Sequence, residues 1–160
     1  MDKNQFISNV EGIQGEMRRF LTALCCGNKT LADDIAQDTL MKAYLSSDSF
    51  REPAKFKAWI FRIAYNTFIS NRRAERPASD LDEAHLLVAP DAADDAFRYQ
   101  RLYMALDRLN ARERTAVLLF YMQGYSTNEI SQTVDAPEAT VRQHLSRARI
   151  HLKKLLENER

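Results

Sequence analysis

The 160-residue chain has only two cysteines, Cys25 and Cys26, and they are adjacent, so no disulfide framework can be built from it. Glycine and proline are scarce, four of each, which disfavours an all-β fold with its many turns. No apolar run approaches the roughly 20 residues of a membrane-spanning helix. The opening MDKNQFISNVEG lacks the charged-then-apolar pattern of a secretory signal. There is no glycine-rich phosphate loop. His85, His144 and His151 have no ligand cluster or triad partner near them in sequence, so neither a metal, a cofactor nor a catalytic site is expected. The paired cysteines read as small core residues. What these absences leave is a soluble, cytoplasmic protein of one ordinary domain or two small ones.

What is present begins with charge. The net charge is +1, but it is unevenly spread. Residues 1–75 carry a net +2, residues 76–98 a net −4 and residues 99–160 a net +3. The middle block, RPASDLDEAHLLVAPDAADDAFR, has no helical or strand period and reads as an acidic linker. The mildly basic flanks point to nucleic-acid contact.

The flanks read as helices throughout, with no strand pattern. Phe6, Val10, Ile13, Met17, Phe20, Leu21 and Leu24 give a helical stripe from about Asn4 to Cys25, although Gly12 and Gly15 weaken it. Thr30 is a candidate N-cap for a second helix, with Ile35, Ala36, Leu40, Ala43 and Tyr44 as its apolar stripe. A third helix is expected from about Pro53 to Ala74. Beyond the linker, helices are expected over about 97–109, from Asn110 to Gly124, from Ser126 to Val134, and from Glu138 to Leu156. Asn110 with Glu113, and Ser126 with Glu129, have capping-box spacing.

Two constellations stand out. The helices flanking Asp135-Ala136-Pro137 have the parts of a helix-turn-helix. In the last helix Val141, Leu145, Ala148, Leu152 and Leu155 face inward, leaving Arg142, Gln143, His144, Ser146, Arg147, Arg149 and Lys153 for a DNA groove, where Arg reads guanine and Gln reads adenine. In the third helix Lys55, Arg62, Asn66 and Arg73 form a narrow stripe beside Trp59, the pattern of cations tracking phosphates while a ring stacks on bases.

Three segments resemble the extracytoplasmic-function (ECF) group of bacterial sigma factors. Residues Ala32 to Tyr44 resemble the helix that grips the clamp helices of the polymerase β′ subunit. Residues Phe56 to Asn66, continuing into Arg72 and Arg73, are similar to the promoter-melting helix. Residues Tyr125 to Arg149 resemble the helix-turn-helix that reads the minus-thirty-five element. Ser70 stands where the family usually has an acid, Asp135 where it usually has Gly, and His144 where a basic residue is common.

The resemblance implies an all-α fold: residues 1–75 a helical domain, 76–98 a flexible acidic linker, 99–160 a helix-turn-helix domain. It implies that Asp34, Gln37, Asp38 and Lys42 meet core RNA polymerase, at the β′ clamp helices, with the β subunit as a further contact. Lys55, Lys57, Trp59, Arg62, Asn66, Arg72 and Arg73, with the loop Ser47 to Lys55, would hold the minus-ten element. Ser126, Thr127, Thr140, Arg142, Gln143, His144, Ser146, Arg147 and Arg149 would contact the minus-thirty-five element. Promoter DNA and an anti-sigma factor are the further partners implied, and the protein would not itself be an enzyme. The alternative is a helix-turn-helix repressor with a helical sensing or dimerising domain, which would bind a palindromic site as a dimer. Two small domains on a long polar tether are expected to share little interface.

Overall fold

The computed structural model describes residues 1–75 and 94–157. Among these residues all regular structure is helical, as expected. Helix α1 (Lys3–Leu24) opens with a reciprocal cap: the Gln5 amide donates to Asp2 Oδ1 at 2.8 Å and the Asp2 amide to Gln5 Oε1 at 3.1 Å. The expected stripe is buried except for half-buried Ile13, and Gly12 and Gly15 fall on the exposed side, where they remove no packing.

The turn into α2 (Lys29–Leu45) is left-handed, with φ 54° at Cys26 and 87° at Gly27. The Cys26 amide donates to the Ala23 carbonyl (3.0 Å) and the Gly27 amide to that of Thr22 (2.8 Å). A Cβ on residue 27 would lie 2.7 Å from Tyr103 Cδ2, so only glycine fits. Because this turn ends at Gly27, Asn28 rather than Thr30 caps α2, accepting from the Leu31 amide at 3.1 Å. Tyr44, expected in the buried stripe, is instead 46% exposed, since the stripe rotates off the core in the last turn.

Short 3-10 turns at Ser47–Ser49 and Pro53–Lys55 lead into α3 (Phe56–Glu75), so Pro53 opens the approach rather than the helix itself. After the linker, α4 (Asp94–Asp107) starts three residues before the expected Phe97. The rest of the linker, including His85, lies outside the described residues. Helix α5 (Ala111–Val117) has the Asn110–Glu113 capping box (2.8 and 3.2 Å) and runs into a wider π-helical turn, Leu118–Met122, where a continuous α-helix was expected. Helix α6 (Thr127–Val134) has the Ser126–Glu129 box (3.1 and 3.0 Å). Asp135 takes the left-handed φ of 54°, which Asp tolerates better than most residues, and α7 (Glu138–Glu157) follows.

The core does not divide at the linker. The side chains of α1, α2 and α3 form one buried cluster with those of α4 to α7. Helix α3 packs on α6, and α1 on α4, α5 and the π-helical turn. The Phe61 and Tyr125 rings lie 6.1 Å apart across this seam. Fully buried Arg114, on α5, donates Nε to Leu106 O (2.8 Å), Nη2 to Leu109 O (2.9 Å) and Nη1 to Leu24 O (3.1 Å). One guanidinium thus meets the negative C-terminal ends of α4 and α1 together. The expectation of little shared interface is therefore corrected. Apolar surface on Phe61, Tyr125 and Ile130 is removed from water by packing the halves together, at roughly 25 cal/mol per Å².

Candidate nucleic-acid interface

Helices α6 and α7, with the Asp135 turn between them, form the expected helix-turn-helix. Val141, Leu145 and Ala148 are buried, while Leu152 and Leu155 are half-buried, so the stripe sets α7 with its polar face outward. Ser126, Arg142, Gln143, Ser146, Arg147 and Arg149 are exposed. Thr127, Thr140 and His144 are half-buried. Several of these residues are held before any DNA arrives. Arg142 pairs with Glu138 at 3.4 Å, and Glu138 also accepts from the Thr127 hydroxyl at 2.6 Å. Arg149 donates Nε to the Tyr121 hydroxyl (2.8 Å), with its guanidinium carbon 5.4 Å from the Phe120 ring centre and 5.6 Å from that of Tyr121. The aromatic clamp on Arg149 was missed in the sequence, because it is built by the π-helical turn.

Lys55, at the end of the 3-10 turn before α3, and Arg62 and Asn66 on α3 are exposed, and Trp59 is half-buried. Trp59 already has a stacking partner: its ring lies 4.5 Å from that of Phe50 at 14°. Phe50 sits in the loop expected to hold an unpaired base, so a base can take its place only if Phe50 moves. Lys57 is paired with Glu16 of α1. Arg72 is buried, over the Phe68 ring at 5.4 Å, and so is not presented to a strand in this conformation. Its position in α3 turns it toward the core. Arg73 is in the last turn of α3, but its side chain lies outside the described residues.

Asp34, Gln37, Asp38 and Lys42 are all exposed along α2, next to exposed Met41 and Leu45. Lys42 Nζ reaches the Thr67 hydroxyl at 3.4 Å. Among the described residues Asp34, Gln37 and Asp38 have no internal partner.

The two candidate nucleic-acid faces look at each other. Asn66 and Ser70 of α3 share a cavity of about 620 Å³ with Thr140 and His144 of α7. Trp59 and Arg62 line a second, of about 610 Å³, with Glu129 and Gln132 of α6. Arg62 also borders the Asp135–Pro137 turn. Among the described residues no cluster of His, Cys, Asp and Glu could hold a metal, and no helix is long and apolar enough to cross a membrane.

An exposed polar helix, a helix carrying cations beside a stacked tryptophan, and a terminal helix-turn-helix define a transcription factor of the DNA-reading helical class. Comparison narrows the class. The Sigma-70 region 2 family model matches residues 10–77, and the Sigma-70 region 4 model matches residues 99–152. The chain is 31% identical over 143 residues to the ECF RNA polymerase sigma factor EcfG of Rhodopseudomonas palustris, covering 88% of this chain and 78% of that one. It is 30% identical over 145 residues to SigW of Bacillus subtilis, covering 81% and 78%. Its fold matches that of the Bartonella quintana sigma factor RpoE, solved with the anti-sigma factor NepR, at a TM-score of 0.77 and 30% identity, over 97% of this chain and 98% of that one. The chain belongs to the ECF RNA polymerase sigma factors.

Proposed function

We propose that this chain docks on core RNA polymerase through α2, reads promoter DNA with α3 and α7, and rests between rounds of initiation in a closed form that hides both reading faces. The polymerase carries out nucleotidyl transfer; the chain supplies the promoter address. Residues 1–75 act on the minus-ten element and polymerase, and residues 99–160 act on the minus-thirty-five element, with 76–98 as the connection between them.

One observation carries the closed resting form. Elements named minus ten and minus thirty-five lie about 25 base pairs apart, which is about 85 Å at 3.4 Å per step. Asn66 and Thr140, assigned to the two elements, line one cavity. A closed chain cannot span the two elements, so the halves separate to work. Polymerase, which binds both halves, holds them apart. RpoE was solved bound to an anti-sigma factor. We infer that a partner of that kind holds this chain inactive as well, on the same two halves.

The polymerase contact is tested on Asp38. Asp38→Arg should leave the helical circular-dichroism signal intact and weaken retention on immobilised core polymerase by about tenfold or more, since a cation there meets a partner surface selected for an acid. Unchanged retention removes α2 from the interface.

Duplex reading is tested on Arg142. Its ion pair with Glu138 is exposed and easily exchanged for a base edge. Arg142→Ala should cost about 1–3 kcal/mol on the preferred promoter and flatten the preference at one base pair. An identical preference profile across a promoter-variant library shows that Arg142 contacts phosphate alone.

A further inference from the structure

Cys25 and Cys26 are not used by promoter reading or polymerase docking, yet they sit on the seam that opens. Both are completely buried. Burial pushes each thiol up to about 12, so in the closed form both are neutral. Part of their cover comes from the other half of the chain. Arg114 of α5 is hydrogen-bonded to the carbonyl of Leu24, the residue before the pair. The Tyr103 ring of α4 leaves no room for even one methyl group on Gly27, the residue after it. Buried Asp107, at the end of α4, is near enough to act on the Cys26 thiol electrostatically. All three leave when the halves separate.

Two thiols on consecutive residues favour one kind of ligand. Across an ordinary trans peptide the two Cα atoms are about 3.8 Å apart. That is shorter than the roughly 4.4–6.8 Å that a disulfide spans. A direct sulfur–sulfur bond is therefore strained, whereas one large thiophilic atom placed between the sulfurs closes a roomier ring.

We propose that Cys25 and Cys26 form a dithiol site for trivalent arsenicals, shielded while the halves are closed, reached when they part, and incompatible with reclosure once occupied. The site rests on the closed resting form described above. In the capture step two S–H bonds break and two As–S bonds form. The oxygen on arsenic leaves as water with both protons. Arsenic and sulfur keep their oxidation states, so no oxidant is required. Reclosure fails because the packing around residues 25–27 has no space for an added arsenic and its substituent.

Phenylarsine oxide is the probe, and the intact mass of the full chain is the readout. The adduct is expected to form at least tenfold faster in Tyr125→Ala, which loses the ring against Phe61, than in the unmodified chain. The unmodified chain, labelled while bound to core polymerase and released only for the mass measurement, provides a second open state should that variant fold poorly. Cys25→Ser and Cys26→Ser should each lose the adduct that resists a monothiol wash and yields to a dithiol. The labelled chain should show a larger hydrodynamic radius than the unlabelled one. Equal labelling rates in open and closed states, or adducts surviving the monothiol wash in either serine variant, overturn the site. A labelled chain of unchanged radius overturns its coupling to closure. The radius of the unlabelled chain, measured free and in Tyr125→Ala, tests the closed form separately, so the two failures can be told apart.

Discussion

Free protein titrated against promoter duplex in a gel shift should bind about a hundredfold more weakly than the opened chain, with little preference for promoter over scrambled sequence. The apparent dissociation constant is the intrinsic one divided by the competent fraction. A closed form favoured by about 3 kcal/mol leaves under about 1% open, hence the hundredfold figure. Core polymerase should restore selectivity at the same stated salt concentration, because phosphate contacts make any unspecified comparison meaningless. Tight, selective binding by the free chain would sink the closed resting form. It would also favour a repressor that binds on its own.

Arg114→Met should produce the largest loss of stability of any single change in the second half. The arginine is fully buried and donates to three carbonyls. Methionine keeps much of the stem volume but supplies no donor. Each buried acceptor left unpaired costs about 1–3 kcal/mol. Leu106 O keeps the amide of Leu109 (3.1 Å), so two acceptors carry most of the penalty, for a total of about 3–4 kcal/mol. Urea unfolding followed by circular dichroism measures it. A loss under about 1 kcal/mol would show that water replaces the guanidinium without strain.

What was legible in the sequence was local. The Asn110–Glu113 and Ser126–Glu129 caps need residues three apart, and both form as read. The stripe on α7 and the turn at Asp135 depend on neighbours within a few residues, and both hold. Thr30 failed as a cap because the left-handed turn at Cys26 and Gly27 brings the helix start forward, and a non-glycine residue at positive φ is rarely signalled in sequence. The seam was not legible. The hydrogen bond from Arg114 to the Leu24 carbonyl joins residues 90 apart. Neither residue is unusual until the other is placed beside it. The same holds for the site: Trp59 was identified, but its partner Phe50 could be placed only once the two 3-10 turns had folded the loop back onto α3.

Trp59 is the one tryptophan in the chain. It is stacked on a ring 4.5 Å away in the loop proposed to take up an unpaired base. Its indole emission therefore comes from a single position, and its surroundings change when Phe50 is displaced. Under the proposed role of this loop, the chain contains its own optical label for strand capture. Stopped-flow fluorescence can time that event on unmodified protein, independently of duplex binding by α7.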